Sequence, residues 1–198
     1  MTKILNLYAG IGGNRALWTD CEVTAVEADA EIAAVYSKLY PEDSVLVTDA
    51  HTFLEEHYDE YDFIWASPPC SSHGQYRHNV GVLGKGFRPL MPGMKLYAEI
   101  VFLQTYFKGR FCVENVKPYY EPLIKPTIEL QRHLFWTNFA VKHRDFASAK
   151  IRSSNKLSDF EGHEILVDSG ISNKRQVLRN RVNPELGKHI LDEARKES

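Results

Sequence analysis

The chain is poor in cysteine, with only Cys21, Cys70 and Cys112 among its 198 residues. An odd count at these separations fits neither a disulfide framework nor a metal-ligand spacing, and it suits a reducing compartment. No apolar run approaches the roughly 20 residues that a membrane-spanning helix needs. Met1-Thr2-Lys3-Ile4-Leu5 leads straight into a strand pattern with no signal-peptide profile, so the chain reads as cytoplasmic with no membrane partner. Internal repeats, low-complexity tracts and linkers are missing as well, and a single domain, 1–198, is expected. Net charge is nearly absent too, at -2.

That small value hides an asymmetry. Residues 1–62 hold 3 Lys/Arg against 13 Asp/Glu and residues 63–198 hold 21 against 13, a balance of -10 and then +8. A solvated charged face accounts for such a bias, and so does a surface that receives a polyanion.

The chain is organised around Asp62-Phe63-Ile64-Trp65-Ala66-Ser67-Pro68-Pro69-Cys70. Its apolar run reads as a strand buried on both faces. Pro68 and Pro69 then remove two backbone donors and stop the strand, delivering Cys70 just past its carboxyl end, where open α/β sheets bind ligands. A lone cysteine is commonly a small buried hydrophobe. On a stiff elbow followed by Ser-Ser-His-Gly it reads as a reactive, partly exposed thiol.

Ahead of this elbow, Lys3–Tyr8 forms a strand, and Ala9–Trp18 turns out of it into a helix through Gly10, Gly12 and Gly13. Glycines there allow positive φ and close approach of a ligand to the backbone. Arg15 stands where a dinucleotide fingerprint has its third glycine, which favours an adenosine ligand other than a nicotinamide. A second strand ends in Glu27, placed either to hold ribose hydroxyls or simply to be solvated, and a helix over Asp29–Tyr40 stops at Pro41. A third strand, Ser44–Asp49, precedes a helix over Ala50–His57, which Asp49 can cap. Together these segments make half of a doubly wound sheet with an adenosine site along its carboxyl edge.

After Cys70, residues 71–95 carry scattered glycines and prolines with Arg77, Lys85 and Arg88, and read as a mobile lid with phosphate contacts or as an inert loop. Leu96, Ile100, Leu103 and Phe107 form the apolar stripe of a helix over Met94–Lys108. A fifth strand, Gly109–Val113, packs Cys112 inside and presents Glu114 at its end, where burial favours the general-acid form of a carboxyl group. Leu123–Gln131 is expected to be helical, and His133–Trp136 with Asn138–Val141 to form a closing antiparallel pair. A last helix begins at Pro184.

In this order the landmarks resemble the cytosine C5 methyltransferases that use S-adenosylmethionine. Asn6-Leu7-Tyr8-Ala9-Gly10-Ile11-Gly12-Gly13 is similar to the family's opening motif, with Tyr8 where phenylalanine is usual beside the adenine. Pro68-Pro69-Cys70 is similar to its nucleophile motif, Glu114-Asn115-Val116 to its Glu-Asn-Val, and Asn180 with Val182 to its closing motif. The resemblance implies a Rossmann-like α/β fold, doubly wound and mostly parallel with an antiparallel C-terminal strand pair. It implies S-adenosylmethionine as cofactor, held by residues 8–13, Glu27, Ala28, Asp49, Ala50, Pro69, Leu96, Asn180 and Val182. It implies Cys70 and Glu114 as the catalytic pair and DNA as the partner, its cytosine flipped out of the helix and contacted by Ser72, Asn115, Gln131, His133 and the basic lid.

Three departures accompany the likeness. Gln131 and His133 stand where the family has two arginines of its Gln-x-Arg-x-Arg motif, and Arg179 replaces the glycine before the closing asparagine. The interval for target recognition, 142–173, is much shorter than a separate reading domain, which implies relaxed selectivity, a very short site, or a separate protein that confers specificity. An RNA (tRNA) cytosine methyltransferase with the same chemistry, and a catalytically silent module that binds cofactor or nucleic acid, are the competing readings.

Overall fold

The computed structural model describes residues 1–147 and 163–196. Strand β1 (Thr2–Leu7) buries four consecutive residues from Ile4 to Leu7, as a strand covered on both faces must. It lies parallel between β2 (Cys21–Val26) and β4 (Phe63–Ala66). Strand β3 (Ser44–Leu46) extends the sheet beyond β2, and β5 (Arg110–Val116) extends it beyond β4. Strand β7 (His133–Thr137) runs antiparallel to β5, and β6 (Ile128–Leu130) pairs antiparallel with β7 at the edge. The order is therefore β3-β2-β1-β4-β5-β7-β6. Chain progress reverses between β1 and β4, the switch point at which doubly wound sheets open a crevice.

Period-two alternation splits the core between the two faces. Leu5, Leu7, Ile64, Phe111, Val113 and Trp136 pack on one side with Leu96, Ile100 and Leu103 of the helix Lys95–Tyr106. Ile4, Phe63, Trp65, Cys112 and Phe135 pack on the other with Leu186, Ile190 and Leu191 of the last helix. Each such large side chain contributes about 1.5–3 kcal/mol through burial. Helix α1 (Ala30–Leu39) starts where the Asp29 carboxylate accepts from the amides of Glu31 and Ile32, and α2 (Ala50–His57) starts at Asp49 in the same way. A π-helical turn over Arg77–Val82 runs into the single turn α3 (Leu83–Lys85), followed by α4 (Lys95–Tyr106). Helices α5 (Lys174–Asn180) and α6 (Pro184–Ala194) close the described chain, the latter with Pro184 in its first turn. Among the described residues no helix is long and apolar enough to cross a membrane.

Four sequence expectations need correction. The segment Ala9–Trp18 holds only a 3-10 turn, Arg15–Leu17, in place of an α-helix. Its path is fixed by burial of Arg15 against Asp43 and by the need to enter β2 at Cys21. Leu123–Gln131 is an irregular approach to β6 and not a helix, because Pro126 removes a helical donor and Thr127 bonds across to Phe135. The closing pair is β6 with β7, not Asn138–Val141, since Asn138 is a turn residue whose side chain accepts from Phe111 N and donates to Gly109 O. Glu114, Asn115 and Val116 lie inside β5 and not beyond it. Of the interval 142–173, residues 148–162 lie outside the described residues, and His163–Leu166 forms a 3-10 turn.

Candidate active site

The elbow after β4 is clamped from the neighbouring strand. Ser67 N gives a last bond to Leu7 O at 3.3 Å, and Trp65 Nε1 donates to Ser67 Oγ at 2.8 Å. The two prolines that follow have no amide to give, so the backbone is held through its carbonyls. Asn115 Nδ2 donates to Pro68 O at 2.8 Å, and Asn115 Oδ1 accepts from Val116 N at 3.0 Å. The Cys70 carbonyl accepts from His73 N and Gly74 N at 3.0 and 3.1 Å. Asn115, expected to contact a substrate base, thus spends its side chain on the elbow.

Cys70 is half-buried, while Glu114 and His133 are 6% and 7% exposed. Strand alternation puts both on the same face of β5 and β7, and His133 Nε2 lies 3.6 Å from Glu114 Oε1. Burial pushes the Cys70 thiol up, the Glu114 carboxylate pushes it further, and the Arg132 guanidinium works against both. Burial pulls His133 down, with Glu114 opposing. Burial and the Glu114 carboxylate thus both favour the thiol form of Cys70 over the thiolate.

The turn after β1 lies on the same rim. Gly10 has φ +55° and open space where a Cβ would project, leaving a cradle for a ligand. Gly12 also has positive φ, +71°, and a Cβ there would stand 2.3 Å from the Tyr40 ring, while one on Gly13 would stand 2.4 Å from Val182 O. Both serve packing. Glu27, at the tip of β2, accepts from Gly10 N at 2.9 Å and from Asp29 N at 3.0 Å. Asp49 caps α2 through Thr52 N at 3.0 Å and lies 3.6 Å from Lys95; chiefly the Thr52 amide lowers its pKa. Tyr8, at φ +57°, donates its hydroxyl to Glu99 Oε1, which also meets His51 Nδ1 at 2.9 Å. Glu99 is fully buried and pushed up by burial, with Tyr8 and His51 opposing; its other oxygen is buried without a partner.

Ala9, Ile11, Ala50 and Leu96 are buried behind this rim, whereas Ala28 and Pro69 are exposed. Val182 packs over Gly13, and Asn180 is exposed at the end of α5. The carboxyl ends of five strands thereby contribute Tyr8 and Gly10, Glu27, Asp49, Cys70 and Glu114 to one edge. Carboxylates at the tips of β2 and β3 beside an open glycine turn fit an adenosine, whose hydroxyl and amino groups are donors.

The expected substrate contacts separate. Ser72 Oγ accepts from Gly93 N at 2.9 Å and so fastens the two ends of segment 71–95 together. Arg77 donates to Arg88 O at 3.1 Å, and Lys85 and Arg88 are exposed. Gln131 is a hairpin residue at φ +55° whose amide donates to Ala147 O at 3.0 Å, and it does not join the Cys70–Glu114 centre. Arg132, between the two motif positions, is the basic group that acts on Cys70; it donates to Arg179 O at 2.6 Å. Sequence reasoning missed Arg132, Glu99 and His51. For Arg132 the signal was its place in a two-residue turn between β6 and β7.

A family profile described as C-5 cytosine-specific DNA methylase matches residues 2–122. No curated protein sequence matches the chain. Among solved structures, a DNMT2 variant from Spodoptera frugiperda is 25% identical, with a TM-score of 0.41 over 59% of this chain and 36% of its own. A SAM-dependent methyltransferase from Agrobacterium tumefaciens is 16% identical, with a TM-score of 0.44 over 60% and 40%. A methyltransferase from Entamoeba histolytica is 14% identical, with a TM-score of 0.38 over 59% and 38%. The chain thus spans 36–40% of the length of these three structures.

Proposed function

The chain belongs to the C-5 cytosine-specific DNA methylase family, and from that membership we propose that it methylates carbon 5 of cytosine in DNA through a covalent bond between Cys70 and carbon 6. The observation that carries this reading is the clamped elbow that holds Cys70 where Glu114 acts on its thiol.

S-adenosylmethionine is the cofactor, and the open cradle at Gly10 with Glu27 beside it fits that ligand. When bound, it supplies an electrophilic methyl group on a sulfonium. Tyr8 and Leu96 would flank the adenine, Glu27 would receive the ribose hydroxyls, and Asp49 would receive the adenine amino group. Residues 9–13, Ala28, Ala50, Pro69, Asn180 and Val182 complete the wall.

Cytosine carbon 5 is a weak nucleophile. When the Cys70 sulfur adds to carbon 6, the ring electrons move onto carbon 5, which can then take the methyl group. Glu114 carries a proton to ring N3 and stabilises the charge that develops there. The thiol proton passes to solvent as the bond to carbon 6 forms, and Glu114 is left as a carboxylate once N3 holds its proton. Loss of the carbon 5 proton to a base returns the electron pair to sulfur and releases Cys70. In duplex DNA the base must leave its stack. Segment 71–95, with Ser72, Arg77, Lys85 and Arg88, then closes over it, and the short interval 142–173 leaves sequence reading to few contacts or to a separate protein.

Transfer of tritiated methyl from S-adenosylmethionine to duplex DNA and to tRNA tests this. Label in DNA that disappears in Cys70→Ala supports it. Label in tRNA alone reassigns the substrate to RNA, and label in neither polymer despite S-adenosylhomocysteine binding leaves a silent binding module.

A further inference from the structure

Beside the elbow lies a cavity of about 180 Å³ to which the chemistry above assigns no ligand. Its walls include Ser72, Gly74, Arg77 and His78 from the segment after Cys70, Leu90 further along it, and Tyr119 from the loop after β5. The floor hangs on the nucleophile's own backbone, because the Cys70 carbonyl accepts from His73 and Gly74 and Gly74 bridges to Pro118. His78 and Tyr119 stack with ring centroids 4.3 Å apart and planes 2° from parallel. The Arg77 guanidinium stands 5.9 Å from the centre of the Phe87 ring, and its Nε is buried without a partner. From Phe63 to Ala98 there is no Asp or Glu, while Arg77, Lys85, Arg88 and Lys95 fall within that stretch.

These features converge on a flat heterocycle attached to an anion. The volume of about 180 Å³ slightly exceeds the ~150 Å³ that holds a benzene ring. It falls short of the ~300 Å³ at which sites for drug-sized ligands begin. One base fits, with its sugar and phosphate outside. Aromatic walls suit the face of a base, and acid-free basic surroundings suit the phosphate.

We infer that this cavity receives the base adjoining the target cytosine in the same strand, so that two neighbouring bases leave the stack when the substrate is engaged. The inference rests on the nucleic-acid reading of Cys70. It supplies target-context preference from the segment beside the nucleophile, without a separate reading domain.

The test uses duplex oligonucleotides with a single 5-fluorocytosine, which trap the covalent adduct in the presence of S-adenosylmethionine. In matched duplexes the 5′ or the 3′ neighbour is an abasic tetrahydrofuran. Wild-type trapping is expected to fall by about tenfold or more on one of the two abasic duplexes, the scale of a lost base–aromatic stack. Tyr119→Ala should trap more slowly on the intact duplex and no longer distinguish it from the abasic one, and Arg77→Ala should behave alike. Equal wild-type trapping on all three duplexes overturns the inference, as does discrimination that survives in both variants. If Tyr119→Ala fails to melt cooperatively, the wild-type comparison and Arg77→Ala decide. Absence of any wild-type adduct overturns the proposed function and this inference with it, whereas trapping without discrimination overturns the inference alone.

Discussion

Truncating Asn115 to alanine separates a residue that acts on the elbow from one that acts on the base. The Asn115 side chain is 1% exposed; it donates to Pro68 O at 2.8 Å and accepts from Val116 N at 3.0 Å. Asn115→Ala leaves the buried Pro68 carbonyl without a donor and the part-buried Val116 amide without an acceptor. A buried polar group left unpaired costs about 1–3 kcal/mol, so a loss of about 2–4 kcal/mol follows. At this chain length that lowers Tm by roughly 5–15 °C. Because Pro68 is two residues from Cys70, adduct formation on 5-fluorocytosine DNA should also slow, measured well below both melting transitions. Asn115→Asp keeps the acceptor for Val116 but turns an oxygen toward Pro68 O, and should be at least as damaging. An Asn115→Ala protein that melts within about 1 °C of wild type and traps DNA at the wild-type rate would refute the clamp.

Glu114→Gln removes a charge that raises the Cys70 thiol, so the pH midpoint of Cys70 alkylation by iodoacetamide, read by peptide mass, should move down. Arg132→Ala should move it up, and the opposite pair of shifts would contradict the electrostatics described. Gly10→Ala adds a side chain at positive φ into open space; it should lose about 1–2 kcal/mol of stability but bind S-adenosylhomocysteine much less well. Gly13→Ala forces a Cβ to 2.4 Å from Val182 O and should be the less stable of the two by thermal melting; the reverse order would be wrong for this packing. Arg15 meets Asp43 at 2.8 Å with side chains 7% and 2% exposed, so Asp43→Asn should cost about 3–5 kcal/mol in urea unfolding. A cost under about 1 kcal/mol would mean the pair is not buried.

The strands that build the rim were legible because their residues are apolar in unbroken runs. Ile4–Leu7 and Phe63–Ala66 are each buried throughout, and only a covered parallel strand needs such a run. Pro68 and Pro69 announced the elbow, and Asp29 and Asp49 announced helix starts, by chemistry that needs no partner distant in sequence. What escaped depends on tertiary meetings. Glu99 lies outside the apolar stripe of α4 and is buried because Tyr8 and His51 converge on it. Strand β6 is three residues long, too short to show a period. Gly12 and Gly13 looked alike beside Gly10, yet the Tyr36 and Tyr40 rings crowd Gly12 and the Val182 backbone crowds Gly13. Asn115 was recognised as part of a motif, but its bond to Pro68 required the register of β5 on β4.

The most direct measurement is the mass of the peptide that carries fluorocytosine DNA after incubation with S-adenosylmethionine and digestion. The expected result is a nucleotide adduct on Cys70 and on neither Cys21 nor Cys112, with none formed by Cys70→Ala. An adduct on another residue, or undiminished DNA methylation by Cys70→Ala, would contradict the role assigned to the elbow.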